Sequence, residues 1–303
     1  MPTPSITPHL WFDKKAQEAA RFYTTVFPDS AIDHVAQIRD TPSGDCELVY
    51  FRLNGQAFMA ISAGPQFRFN PSISFIVNFD PSQNPAARAS LDATWAKLAE
   101  GGTVLMPLDA YPFSQRYGWI QDRYGLSWQL ILSNPEGDPR PFLTPVLLFT
   151  GEVCGQAEEA GALYRSVFAD SEPGQLVRYP AGMEPNREGT VMFSDFRLGD
   201  ARFAAMDGGI DHGFRFNEAI SFVVNCRGQA EIDHYWERLS SVPEAEACGW
   251  LKDRFGVSWQ VGPAELNEMM RCGDQGRIDR LTRAFLTMKK LDVAALRAAF
   301  HGA

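Results

Sequence analysis

The chain has 303 residues, 45% of them hydrophobic and 21% charged, with a formal net charge of −9. That length exceeds what one hydrophobic core usually supports and predicts two domains of ordinary size. The acidic balance excludes a surface built for nucleic acid or for an anionic membrane, since both need clustered Lys and Arg, and leaves neutral or cationic small ligands compatible. Five cysteines, Cys46, Cys154, Cys226, Cys248 and Cys272, are scattered and never spaced as CxxC. They predict neither a disulfide framework nor a zinc ribbon, and fit a reducing cytoplasm. The first residues, MPTPSITPHLWF, show no export signal. No apolar run approaches the roughly 18 residues of a membrane span, so neither export nor a membrane anchor is expected.

In chain order, ITPHLWF (6–12) has strand character, and AQEAARFYTTVF (16–27) places Ala16, Ala19, Ala20, Tyr23 and Phe27 on one helical stripe. Three short β-rich runs follow, IDHVAQIRD (32–40), CELVYFRLNG (46–55) and QAFMAISAG (56–64), with Asn54-Gly55 as a hairpin signal. The pattern then restarts: SISFIVNF (72–79), a helix over 87–102 that stops at paired glycines, then TVLMPLDAY (103–111), RYGWIQD (116–122) and LSWQLIL (126–132). This is a βαβββ module written twice. Asp122-Arg-Tyr-Gly125 reads as the tight turn between the last two strands, with Gly125 free to take positive φ.

A second copy follows. GWIQDRYGLSWQLI (118–131) is answered by GWLKDRFGVSWQVG (249–262), FYTTVFPDS (22–30) by LYRSVFADS (163–171), and FRFNPSISFIVN (67–78) by FRFNEAISFVVN (214–225). Between the copies, SNPEGDPRP (133–141) has the composition of an exposed linker, which sets expected domains at 1–137 and 138–303. Residues 264–301 add a tail of helical segments, with Asp292 as a candidate N-cap, expected to dock on the sheets or on the other copy.

These blocks, above all LWFDKKAQEAARFYTTVFPDS, GPQFRFNPSISFIVNF, RYGWIQDRYGLSWQL and the second-copy CGWLKDRFGVSWQV, together resemble a known family across nearly the whole chain. It is the PhnB-like branch of the vicinal oxygen chelate superfamily (glyoxalase, bleomycin resistance, dioxygenase), labelled 3-demethylubiquinone-9 3-methyltransferase. The resemblance implies an α+β fold of tandem glyoxalase-like domains, each a pair of βαβββ modules forming an open eight-stranded cup, with C-terminal helices added. It also implies a pseudo-dimer within one chain, the chain itself being a monomer or a homodimer, with ligand or metal bound inside the cups.

Metalloenzymes of that superfamily carry ligands on the first strand of each module and on the last strand. Carried over, those positions are His9, Ser72 and Gln129 in the first copy, and Val146, Ala219 and Gln260 in the second. Hydroxyl and amide oxygens are neutral, weak donors for a divalent transition metal, so no complete metal site and no cofactor are expected. His9 and Gln129 stand as weak candidates for a divalent metal in the first domain. The same face of the strands makes His9, Trp11, Ser72, Ser74, Gln129 and Gln260 the expected pocket for a small, partly apolar organic ligand, unless these side chains simply fill the cup. Trp128 and Trp259 fall on the opposite face, under the helices.

Cys248 lacks an activating partner and reads as an ordinary thiol. VLLFTGEVCG (146–155) only superficially suggests a nucleotide-binding turn, since no series of parallel βα units surrounds it. The expected function is therefore a small-molecule-binding module, with catalysis left open. A metal-dependent lyase, isomerase or dioxygenase, a methyltransferase as the family label suggests, and a scaffold without a ligand are the alternatives.

Overall fold

The computed structural model describes residues 3–134, 136–137, 139–210 and 212–302; Pro135 and Asp138 of the expected linker lie outside them. The first copy runs β1 (Ile6–Phe12), α1 (Ala16–Val26), β2 (Ala31–Thr41), β3 (Gly44–Leu53), β4 (Gln56–Ser62), β5 (Ile73–Phe79), α2 (Ala87–Ala99), β6 (Thr103–Tyr111), β7 (Ser114–Gln121) and β8 (Ser127–Leu132). The second runs β9 (Leu143–Phe149), α3 (Ala157–Val167), β10 (Ser171–Arg178), β11 (Val191–Leu198), β12 (Ala201–Asp207), β13 (Ile220–Cys226), α4 (Gln229–Leu239), β14 (Trp250–Lys252) and β15 (Ser258–Pro263). The tail forms α5 (Glu265–Met270), α6 (Gln275–Phe285) and α7 (Val293–His301). No helix among the described residues is long and apolar enough to cross a membrane.

The compact units in space are not the two sequence copies 1–137 and 138–303. One unit takes the chain up to Thr25, Asp29–Arg68 and everything from Phe216; the other takes Val26–Pro28 and Phe69–Arg215. Strand pairing is the reason. In the first unit β1 lies antiparallel to β13, with His9 opposite Ser221, giving the order β14-β15-β13-β1-β4-β3-β2. In the second, β5 lies antiparallel to β9, with Ser74 opposite Val146, giving β10-β11-β12-β9-β5-β8-β7-β6. Each sheet thus joins one module from each copy, an exchange of equivalent elements of the kind seen in swapped dimers.

The second unit has the expected eight strands, but the first has seven. Eighteen residues separate α2 from Gly118, enough for β6, whereas nine separate α4 from Gly249, and a short 3-10 turn at Pro243–Ala245 occupies the place of an edge strand.

The repeated D-R-[YF]-G segment is structural. The Asp122 carboxylate accepts from the backbone N–H of Tyr124 (2.8 Å) and Leu126 (3.2 Å) and from Trp128 Nε1 (2.8 Å). Asp253 makes the same three bonds, to Phe255, Val257 and Trp259. Gly125 and Gly256 sit at φ +88° and +90°, the left-handed region that glycine enters at no steric cost. One buried carboxylate thereby closes the hairpin and pins a fully buried tryptophan behind the sheet, where Trp128 packs on Phe27 and Phe75 at centroid distances of 4.9 and 5.5 Å. Asn54-Gly55 forms the expected tight hairpin, with φ +48° and +74°.

The tail docks on the first unit. Asp292 caps α7 as expected, accepting from Ala295 N–H at 2.9 Å, and Asp274 caps α6 in the same way through Arg277 N–H at 3.1 Å. Ile278, Leu281 and Leu296 of these helices form one core with Leu48, Met59 and Val223 of the sheet.

Asp122→Ala and Asp253→Ala each strand three buried donors. Each should cost about 2–4 kcal/mol in urea denaturation, with the Asn variants losing less because they keep one acceptor. A loss below 1 kcal/mol would remove the hairpin from this structural role.

Candidate ligand-binding face

In each sheet, alternate side chains fall on opposite faces, and the register assigns them. On the second unit, α2 and α3 cover the face that bears Trp128 and Phe196. The other face carries Ser74 and Ile76 of β5, Gln129 and Ile131 of β8, Tyr117 and Trp119 of β7, Val146 of β9, Ala204 and Met206 of β12, and Phe193 of β11. Val146 and Ala204 are fully buried although no helix covers them. On that face they pack with Ile76, Ile131, Phe193 and Met206.

A hydrogen-bonded relay crosses this apolar floor. Tyr117 Oη donates to Gln129 Oε1 at 2.8 Å, and Gln129 Nε2 donates to Ser74 Oγ at 2.8 Å. Burial, reinforced by the neighbouring Tyr111, pushes the Tyr117 phenol well above its ordinary pKa, so it remains a donor. Trp119 Nε1 donates to Ser127 Oγ at 2.7 Å on the same row. Ser72 is held by its backbone: its N–H donates to Asn70 Oδ1, and its carbonyl accepts from Leu148 N–H.

Of the six residues expected to line a pocket, Ser72, Ser74 and Gln129 therefore belong to the second unit, while His9, Trp11 and Gln260 belong to the first. Gln260 Nε2 donates to Ser221 Oγ at 2.9 Å, the counterpart of the Gln129–Ser74 bond, but the position equivalent to Tyr117 is Cys248. Burial raises the Cys248 thiol above its usual pKa, as expected of a cysteine without an activating partner.

The equivalent face of the first unit is covered by the chain itself. Leu48, Met59 and Ile61 pack against the tail helices, and Trp11 packs at their margin, its Nε1 bonded to the Gly64 carbonyl at 2.8 Å. His9 is buried edge-on against the Trp250 ring at 5.6 Å, and its Nδ1 has no hydrogen-bond partner among the described residues. Burial lowers its pKa to about 3.

The donor chemistry does not fit a transition metal in either unit. The inner-face positions on the relevant strands are His9, Met59, Ser221 and Gln260 in the first unit, and Ser74, Gln129, Val146 and Ala204 in the second. One imidazole among thioether, hydroxyl and amide groups leaves a divalent charge uncompensated. The weak candidates His9 and Gln129 fall in different units, and among the described residues no group of three or more His, Cys, Asp or Glu side chains is placed to hold an ion.

The residues that sequence reasoning missed are Tyr117, Ile76, Met206 and Phe193, which act only once β5 and β9 are known to pair. Arg140, Asp195 and Arg202 also escaped it, although comparing DFRLGDARF (195–203) with YFRLNGQAF (50–58) shows charge entering the second copy where the first has none.

Because the folded pKa of His9 lies below the unfolded value of about 6.5, its contribution to stability is fully present above pH 6.5 and declines as pH falls towards 3. His9→Leu should flatten the decline of the unfolding free energy, read by urea denaturation between pH 6.5 and 4, by up to about 1.4 kcal/mol per pH unit. Parallel profiles for the two proteins would show that His9 ionises freely in the folded state.

A family model described as 3-demethylubiquinone-9 3-methyltransferase matches residues 4–131 and again 141–262. No curated protein matches. Among solved structures, the PhnB protein of Bacillus cereus, described by the same methyltransferase name, is 37% identical over 42% of this chain and 98% of its own, with a TM-score of 0.37. Glyoxalase I from Zea mays is 12% identical over 88% of this chain and 96% of its own, with a TM-score of 0.52. A Bacillus subtilis protein described as a dioxygenase is 13% identical over 89% of this chain and 90% of its own, with a TM-score of 0.46. The maize enzyme shares the fold. The methyltransferase name is the family's; around the suggestive segment 146–155, β9 runs antiparallel to β5 and parallel only to β12, which is not a doubly wound nucleotide-binding arrangement. With both repeats matched, this chain belongs to the family described as 3-demethylubiquinone-9 3-methyltransferase, which it carries as two tandem copies.

Proposed function

We propose that the protein binds a small, partly apolar organic molecule on the helix-free face of its second unit. The observation that carries this reading is the asymmetry between two faces of common origin. One is packed by the tail, with Leu281 and Leu296 seated against its sheet. The other bears Ile131, Phe193 and Met206 only partly buried around a floor of Ile76, Val146 and Ala204.

An apolar surface that also presents a few fixed hydrogen-bonding groups suits a small ligand. The Tyr117–Gln129–Ser74 relay supplies those groups and is itself satisfied, so it orients a ligand without the cost of an unpaired buried polar atom. Ligand binding of this kind asks nothing of a metal, consistent with the donors present in either unit.

The neutral dye N-phenyl-1-naphthylamine tests the reading, because its fluorescence rises on entering an apolar site. The expected result is saturable binding to the full chain, weakened at least about tenfold by Met206→Trp, which fills the floor. Binding of equal strength to the variant would place the apolar site elsewhere.

A further inference from the structure

We infer that the ligand of this face carries a planar aromatic ring, which lies against Phe113 at the rim of the sheet. The inference rests on the ligand-binding reading above and adds the chemical class of the ligand to it. Tyr117, whose hydroxyl starts the relay to Gln129, is buried on the helix-free face. Its ring meets two others edge-on, Phe113 at a centroid distance of 4.9 Å and 77°, and Tyr111 at 5.5 Å and 84°. Those two stack on each other at 5.7 Å and 22°. The rings make a continuous aromatic path from the buried relay to solvent, and it ends on Phe113, which is 62% exposed.

This rim is fixed by the chain itself. Pro112 and Phe113 form the turn between Tyr111, the last residue of β6, and Ser114, the first of β7, which pair across it. Proline locks its own φ. Ser114 Oγ donates to the Leu132 carbonyl at 2.9 Å, tying the turn to the end of β8, and Tyr111 Oη donates to the Pro107 carbonyl at 2.9 Å. An exposed ring on a fixed turn offers contact area at little ordering cost. Its quadrupole favours a second ring, stacked or edge-on, over a saturated group of the same size.

The internal duplication shows that the sheet forms without this path. The first unit has Cys248 at the position of Tyr117, and nine residues before Gly249 where the second unit has eighteen before Gly118, so the hairpin that carries Tyr111 and Phe113 has no counterpart there. That is also the unit whose equivalent face is packed by the tail. The rings are present where no helix covers the face and absent where the tail fills it, which ties them to a ligand rather than to the fold. A second copy of the chain is the competing partner for an exposed ring beside an edge strand. β6 is poorly made for that role: Pro107 interrupts it, and its register against β7 shifts three times, both of which blunt an edge. The ligand class is then a planar aromatic ring bearing a small polar group for the relay.

2-Naphthol and its saturated counterpart decahydro-2-naphthol test this by calorimetric titration of the full chain, because they share a bicyclic skeleton and one hydroxyl and differ in aromaticity. 2-Naphthol should bind about tenfold more tightly, and Phe113→Leu should bring the two within about twofold of each other, since one aromatic contact amounts to a preference of that order. The exposure of Phe113 keeps that variant folded, and Tyr111→Leu, which removes the ring stacked on it, should narrow the preference as well. Equal binding of both alcohols to the unaltered protein, or a preference that survives both variants, would overturn the aromatic inference alone. A surviving preference in a Phe113→Leu chain that also loses a dimer in sedimentation would assign the ring to contact between copies instead. Failure of both alcohols to bind would overturn the aromatic inference, and failure of N-phenyl-1-naphthylamine as well would overturn the ligand-binding reading with it.

Discussion

The antiparallel contact between the first strands of two modules organises everything else in this molecule. β1 must find β13 and β5 must find β9, and only then do the residues of either inner face become neighbours. His9 meets Ser221 from more than two hundred residues away, while Ser74 meets Val146 across the rest of its own module and the connection between the copies. A single module buries one side of its sheet under a helix and leaves the other side and the outer edge of its first strand unpaired. Pairing with a second module removes that exposed edge.

Within each module the residues that read most clearly in the sequence are those that work locally. Asp122 and Asp253 serve backbone donors two and four residues away and an indole six residues away, so their chemistry is contained in one short motif and repeats intact. Asn54-Gly55 and the Asp292 cap were legible for the same reason. The inward alternation of His9 with Trp11, and of Ser74 with Gln129, was also visible, because strand period alone assigns a face.

What the sequence did not disclose is which faces share a unit. The repeat suggests that a copy folds on itself, and composition alone offers no reason for β9 to prefer β5. The expected pocket therefore mixed His9 and Trp11 with Ser74 and Gln129, which the pairing separates. The lost edge strand of the first unit is likewise a matter of length, visible as nine residues where the other copy has eighteen, but its meaning depends on knowing that β6 is an edge.

Duplication then permits divergence. Once two equivalent faces exist, one can give up ligand access for stability, and the tail shows how: α6 turns Ile278, Leu281 and Thr282 inward, and Arg280 ties its helix to the carbonyls of Ala299 and Phe300 at the end of α7. Among the described residues, buried polar atoms without a hydrogen-bond partner include His9 Nδ1, Tyr50 Oη, Ser258 Oγ and Thr282 Oγ1 in the unit that the tail covers, and Ser133 Oγ in the other. In the other unit the corresponding relay is complete and Asp195 replaces Tyr50 with its charge fully compensated. A face under selection for packing alone would tolerate the first arrangement and would have no reason to keep a buried carboxylate, since the other copy builds the same hairpin with Tyr50 and Ala57 at the positions of Asp195 and Arg202.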